Sequence, residues 1–258
     1  MKVKIALCQL VPMPGRPTEN ADMIVASLRS GKADVYVFPE LFLTGYGADY
    51  ASLREETEDG IRRISDACAE NDVAAVVGSP RFDGEDMFNS LAFLSPDGNT
   101  WYDKAHLARF GIYAEDMFRE GGGRAVGTYH GMRFGMCICY DIFFPEILHG
   151  CSLSGTDVNI CVAASAEPSK PFLDRVLPAR ALENVTYLVY VNNTGRMDGL
   201  EMHGCSRALD PFGDTLCCCG GTEKVEVFTA DTDVLEESRD VRHHLRDFRR
   251  DIRWLQDD

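Results

Sequence analysis

Apolar residues along this chain gather in short runs, separated by longer stretches where apolar and charged residues recur at three- and four-residue steps. The short runs predict strands and the longer stretches amphipathic helices. Strands are expected at Val3–Leu10, Val35–Phe38, Ala74–Gly78, Ser90–Leu94, Arg133–Ile138, Val158–Val162, Tyr187–Val191, Ser206–Leu209, Thr215–Cys218 and Lys224–Ala230. Helices are expected at Asn20–Ser30, Ser52–Asn71, Pro145–Ser154 and Lys170–Asn184. Asn71–Asp72 closes the second helix, and Pro96–Asp97–Gly98–Asn99 is a turn between strands. Strands and helices alternate without a repeat, a low-complexity tract or a Gly/Ser linker, which predicts one α/β domain.

From Asp231 onward the pattern changes. Both signs of charge become dense, Gly and Pro nearly vanish, and Val241, Leu245, Phe248, Ile252 and Leu255 form a narrow apolar stripe at helical spacing. Residues 1–230 are therefore expected to form the domain, and 231–258 a charged helical tail. That tail would lie either on its own domain or across a subunit interface.

Composition narrows the partners. The chain of 258 residues carries 26 Lys and Arg against 41 Asp and Glu, a formal charge of −15, which argues against nucleic acid or an anionic membrane. Hydrophobic residues make up 45%, as a globular protein requires. The first apolar run is interrupted by Gln9 and ended by Pro12, too short for a signal-peptide core, and no run reaches transmembrane length. The ten cysteines are then expected to be reduced, in a cytoplasmic protein. No C-x-x-C occurs and the cysteine spacings do not suit zinc, so no metal site is expected. Cys217–Cys218–Cys219 reads as strand filler, its outer members on one face and the middle one on the other. His243–His244 reads as solvated.

One cysteine stands apart. In GMCICYDIFFPE (135–146), Cys139 ends an apolar strand, and Phe144–Pro145–Glu146 opens a helix with proline in its first turn. A thiol on such a turn is pushed out of the sheet beside free backbone N–H groups, which suits attack on a carbonyl or nitrile carbon. The other reading is an inert core filler. A nucleophile needs a base, and of the six histidines only His106 lies near a strand end. Glu40, at the mouth of the strand ending in Phe38 and followed by LFLTGYG, could be a carboxylate raised by apolar surroundings, or an exposed loop residue. Lys104 lies just past a short strand, where it could stabilise an oxyanion or simply be solvated.

FPELFLTGYG (38–47), YDKAHL (102–107) and CICYDIFFPE (137–146), in this order, resemble the nitrilase superfamily of carbon–nitrogen hydrolases. ALCQL (6–10), PARALENVTYLVYVNNTG (178–195) and GCSRALDPFGDTL (204–216) extend the resemblance over residues 3 to 230. It implies an α-β-β-α sandwich, a homodimer or higher homo-oligomer, and no metal or organic cofactor. It implies Glu40 as general base, Lys104 as stabiliser of the intermediate and Cys139 as nucleophile. Within FGIYAEDMFREGG (110–122), Glu115 matches a second glutamate of the family, with Asp116 as the alternative. The Tyr140 backbone N–H would bind the oxyanion, and Tyr46, Tyr113, Phe143, Ala164 and Ser165 would line the pocket. Arg180, Glu183 and Asn184 would brace the active-site loops or a subunit contact, Asp141 would fix the turn, and Glu146 would cap its helix. The implied reaction is hydrolysis of a small linear amide through a thioester. An N-carbamoyl compound is the alternative substrate. A silent binding protein or a thiol sensor is the alternative of a different class.

Overall fold

The computed structural model describes residues 1–111, 113–249 and 251. Its first half runs β1 (Lys2–Gln9), α1 (Pro17–Leu28), β2 (Val35–Val37), α2 (Arg54–Asn71), β3 (Ala74–Asp83), β4 (Asp86–Leu94) and β5 (Thr100–Asp103). There follow β6 (Val126–Tyr129), β7 (Met132–Ile138), α3 (Pro145–Leu153), β8 (Val158–Ala163), α4 (Lys170–Asn184) and β9 (Tyr187–Asn192). The chain continues with β10 (Thr194–Met197), β11 (Leu200–His203), β12 (Arg207–Leu209), β13 (Thr215–Cys218), β14 (Lys224–Asp231) and α5 (Thr232–Val241).

Two six-stranded sheets result, ordered β14-β1-β2-β3-β4-β5 and β13-β12-β9-β8-β7-β6, beside a β10–β11 hairpin. The central strands β1–β2–β3 and β7–β8–β9 are parallel. Period-two alternation sorts their side chains between two surfaces. Val3, Ile5 and Leu7 of β1, Val35 and Val37 of β2, and Leu91 and Phe93 of β4 face the second sheet, where Phe134, Met136, Ile160 and Val189 meet them. Their neighbours Ala6, Cys8, Tyr36, Ala92 and Leu94 turn the other way, onto Ala21, Ile24 and Leu28 of α1 and Ile64 and Cys68 of α2. Leu148 of α3 and Leu173, Leu177 and Ala181 of α4 cover the second sheet. The layers are thus helix, sheet, sheet, helix, in one α/β domain.

Helix ends follow local chemistry. Pro17 and Pro145 open α1 and α3, where a missing N–H is harmless, and Asp72 closes α2 in the left-handed conformation. Buried Asn20 ties α1 to the chain that follows β2, its Nδ2 donating to the carbonyls of Met13 and Leu43. In the late hairpin Cys218 is exposed, while Cys217 and Cys219 turn toward the core. All ten cysteines are free thiols. Among the described residues, no group of three or more His, Cys, Asp or Glu could hold a metal ion. Nor is any helix long and apolar enough to cross a membrane.

The C-terminal pattern departs from expectation. Helix α5 stops at Val241, which is 68% exposed, and Arg242 takes an extended backbone. Leu245 and Phe248 therefore do not continue its apolar face. Instead the chain turns back along the second helical layer, with the His244 ring donating to the Leu182 carbonyl and Phe248 packing edge-on to His149. Ile252 and Leu255 lie outside the described residues.

Candidate active site

Three strand ends and one loop place four functional side chains of three kinds together. Glu40 follows β2, Lys104 follows β5, Cys139 follows β7, and Glu115 lies on the connection that carries the chain from the first sheet to the second. Ligand sites of open α/β sheets commonly form at the carboxyl ends of parallel strands, and β2, β7 and β8 end here.

The polar centre is buried. Glu40 and Lys104 are each 1% exposed and Glu115 is 2% exposed. Lys104 Nζ donates to Glu40 Oε1 at 2.7 Å and to Glu115 Oε1 at 2.8 Å. Asn89 Nδ2, from β4, donates to the same two oxygens at 2.7 and 3.1 Å. Glu40 Oε2 accepts the Ala164 N–H at 2.7 Å, and Glu115 Oε2 accepts the Ala108 N–H at 2.6 Å. Charge-assisted bonds of this kind offset the cost of burying three ionisable groups. Asp116, by contrast, is exposed and pairs with Arg109. Glu115 is therefore the acid that joins the cluster.

The backbone is strained where the chemistry sits. Leu41, next to Glu40, and Cys139 both have positive φ, 51° and 48°, although neither is glycine. Each such residue costs on the order of 1–3 kcal/mol unless its surroundings impose it. Around Cys139 those surroundings are explicit. The residue opens a tight turn, Cys139–Phe143, before α3. Buried Asp141 accepts the Ile138 N–H at 3.2 Å, and Arg180 of α4 donates to the carbonyls of Ile142 and Phe143. Arg180 also pairs with Glu183, and Asn184 Nδ2 donates to the Arg180 carbonyl, so this trio braces the turn. Glu146 is an exposed acid in the first turn of α3, where the helix dipole favours it.

Electrostatics define the resting state. Burial pushes the Cys139 thiol well up, Glu40 pushes it further, and Lys104 and Ser165 only partly oppose them. The sulfur is thus protonated at rest. Burial disfavours the Lys104 ammonium, but Glu40 and Glu115 together hold it well above the ordinary lysine range. For Glu115, burial raises the carboxyl, Lys104 pulls it back, and Glu40 raises it again, with a net upward shift. An ammonium between two carboxylates beside a protonated thiol can stabilise an oxyanion while a carboxylate takes the thiol proton.

The pocket residues divide. Ser165 Oγ lies 3.5 Å from Cys139 Sγ, and the Ala164 N–H holds Glu40. Buried Tyr46 lies in the electrostatic field of Glu40, Glu115, Lys104 and Cys139, and its hydroxyl is pushed up mainly by burial. The Tyr113 hydroxyl accepts the Ala166 N–H. Phe143 sits further out, 38% exposed, in an open aromatic depression of about 570 Å³ that also involves Tyr113, Tyr140 and Phe172. Tyr140 follows the sulfur-bearing residue in the turn, its ring against Phe144 and Phe110.

Sequence reasoning missed three asparagines. Asn89 bridges both carboxylates, Asn193 Nδ2 donates to the Glu40 carbonyl at 2.9 Å, and Asn192 Oδ1 accepts the Ser165 N–H at 2.8 Å. The signal was present: Asn89 interrupts the apolar run of β4, and Asn192–Asn193 ends a fully buried strand.

Two stacked sheets between helical layers thus hold a thiol beside a buried carboxylate–ammonium–carboxylate cluster. The chain belongs to the carbon-nitrogen hydrolase family, whose family model matches residues 4–240, and it is an enzyme acting on C–N bonds other than peptide bonds. It is 32% identical over 254 residues to an (R)-stereoselective amidase from Pseudomonas sp, covering 96% of this chain and 92% of that protein. It is also 32% identical over 247 residues to a nitrilase from Pyrococcus abyssi, covering 90% of each. The solved structure of the Nesterenkonia AN1 amidase, from the nitrilase superfamily, superposes with a TM-score of 0.78 at 26% identity, over 93% of this chain and 95% of that one.

Proposed function

We propose that this enzyme hydrolyses small linear amides, with Cys139 as nucleophile. What carries the reading is the state of Glu40. Lys104 and Asn89 occupy Oε1 and the Ala164 N–H occupies one site on Oε2. Among the described residues, that leaves one of about four acceptor sites open for a proton. Glu40 takes the Cys139 proton as sulfur bonds to the amide carbon, and the C=O π pair moves onto oxygen. The Lys104 ammonium and the Tyr140 N–H hold that oxyanion. The C–N bond then breaks, with a carboxyl proton delivered to nitrogen, so that ammonia leaves and a thioester remains. Water, deprotonated by Glu40, attacks the thioester. The acid departs and the thiol is restored.

Similarity to two amidases supports an amide, and the nitrilase relative at equal identity makes nitriles the competing substrates in the test. The test is ammonia release from a panel of aliphatic amides, N-carbamoyl compounds and nitriles. Ammonia without carbon dioxide from amides is the expected result, whereas both gases from carbamoyl compounds alone would replace the amide assignment. Cys139→Ala should lose activity on the order of 10⁴-fold or more while its circular dichroism is unchanged. Turnover retained in that variant would refute the nucleophile.

A further inference from the structure

Lys104 and Cys139 come from different sheets, yet one buried carboxylate ties both backbones. Asp141, two residues after the sulfur, is fully buried and accepts four hydrogen bonds. One comes from Ile138, the residue before Cys139, at 3.2 Å. The other three come from the two sides of Lys104. The Tyr102 hydroxyl donates to Oδ2 at 2.8 Å, and His106 donates to Oδ1 twice, from its backbone N–H at 2.8 Å and from Nδ1 at 2.9 Å. The residues two before and two after the lysine therefore grip the residue two after the cysteine. The His106 ring also lies flat on Phe144, centroids 3.6 Å apart and planes 1° off parallel, and Phe144 leads into α3.

We propose that His106 is a positioning residue for this reaction: with Tyr102 it clamps Asp141, and so fixes where the Lys104 ammonium stands relative to the Cys139 sulfur. The inference rests on the proposed Cys139 chemistry. Asp141 fills all of its roughly four acceptor sites in this clamp, so loss of one donor leaves a buried charge short of a partner. The clamp contains one group that titrates in an accessible range. Asp141 faces His106 from the nucleophile turn, Glu146 from the first turn of α3, and Glu120 from the connection after β5. The Asp141 hydrogen bond raises the imidazole above its ordinary value, burial opposes it, and the charges of Asp141, Glu146 and Glu120 add to the rise. The imidazolium is the more strongly clamped form, because the neutral ring can keep its Nδ1–H bond to Oδ1 but loses the charge that strengthens it. That extra hold fades as pH climbs through the raised value. The Cys139 thiol and the Lys104 ammonium titrate well above the ordinary values of 9.0 and 10.5, beyond that window. Glu115, whose carboxyl is also raised, keeps its own contribution in every His106 variant, so the clamp is read from the part of the limb that those variants remove.

The test compares kcat and KM against pH for the parent, His106→Leu and His106→Asn, with thermal melts to confirm folding. Asparagine can place an amide N–H near the Nδ1 position without a titrating charge. His106→Leu should lose kcat on the order of ten- to a hundred-fold, because small misplacements of reacting groups cost that much, with KM nearly unchanged. His106→Asn should recover part of that loss, and both variants should lack the alkaline limb that His106 contributes to the parent's kcat. A His106→Leu variant with the parent's kcat and the same limb would overturn the inference, as would equal losses in the two variants with the limb retained. Cys139→Ala, assayed alongside, separates the two ideas. If that variant stays active, the chemistry itself is wrong; if it is dead and the His106 variants are normal, only the clamp fails.

Discussion

Glu115 sits between an ammonium and a second carboxylate, so its proton registers directly in stability. Burial raises it above the ordinary 4.5 first of all, Lys104 draws it down, and Glu40 raises it again. The folded chain therefore binds more protons than the unfolded chain as pH climbs from about that ordinary value through the raised one. Where the native state binds more protons, stability falls with rising pH. In Glu115→Gln the group cannot titrate, and the fall contributed by this site should vanish. Urea unfolding at a series of pH values from about 4.5 to neutrality would read the difference. Identical slopes in parent and variant would refute the assignment of a raised carboxyl. The glutamine, with a single carbonyl oxygen, can accept from Lys104 or from Ala108 but not from both, and it cannot supply a proton, so kcat should drop on the order of 10²-fold or more. At this scale the sequence was informative where chemistry sits at a strand end. Glu40 and Cys139 each follow an apolar run that stops abruptly, and Lys104 follows the short strand Thr100–Asp103. Asn89 left only a polar break in the apolar run of β4, which does not show that its side chain acts across to the ends of other strands. Which of Glu115 and Asp116 faces inward shows only in the folded chain, since adjacent acids on a loop carry no periodicity to tell them apart.

Among the elements, β3 decides where Glu40 stands. A Cβ on Gly78 would come within 2.2 Å of the Pro39 carbonyl oxygen, 2.5 Å of the Leu41 nitrogen and 2.7 Å of the Glu40 Cα, all of them backbone. The Leu43 N–H, moreover, donates to the Gly78 carbonyl, so the strand and the loop after β2 are in direct register. Gly78→Ala should destabilise the fold by about 1–3 kcal/mol, as overpacking does, and should lower kcat by displacing Glu40. Gly221→Ala is the control: nothing lies within 4 Å of its would-be Cβ, and its change should stay within about 0.5 kcal/mol. Urea midpoints and kcat for the two variants decide it, and a neutral Gly78→Ala would mean that the loop is not held by this approach. Pattern reading found the strands buried on both faces, such as β8 and β9, and also the more exposed β13 and β14, whose ends are marked by turn residues. It passed over β6, β10 and β11, each four residues long, partly exposed and poor in consecutive apolar residues. The β10–β11 hairpin turns at Asp198–Gly199, both with positive φ, a turn signal in the sequence that lacked strong strands beside it. The C-terminal stripe misled because three- and four-residue spacing persists beyond Val241, while the chain there leaves the helix to pack on α3 and α4.

For the whole molecule, the candidate site is a seam. Glu40, Asn89 and Lys104 belong to the first sheet, Cys139, Ala164, Ser165 and Asn193 to the second, and the distance between sheets sets whether carboxylate and sulfur can exchange a proton. Apolar packing and polar links share that task. In the interior, Phe93 of β4 meets Phe134 of β7, ring centroids 5.3 Å apart, and Gly127 of β6 leaves no room for a Cβ above the Phe93 ring. At the site itself, the Ala164 N–H to Glu40 Oε2 and Asn193 Nδ2 to the Glu40 carbonyl cross the seam at 2.7 and 2.9 Å. These links predict a separation of stability from activity. Phe93→Ala removes a fully packed ring and should cost about 3–5 kcal/mol in urea unfolding. Its kcat, measured well below the unfolding midpoint, should fall by less than about three-fold, because ordered polar networks hold local geometry against a distant cavity. Asn193→Ala should show the reverse pattern: it frees the Glu40 backbone at a cost of about 1–3 kcal/mol but lowers kcat by more than the Phe93 change does. If Phe93→Ala instead abolished turnover in fully folded protein, the sheet interior and not the polar seam would be setting the geometry of the reacting groups.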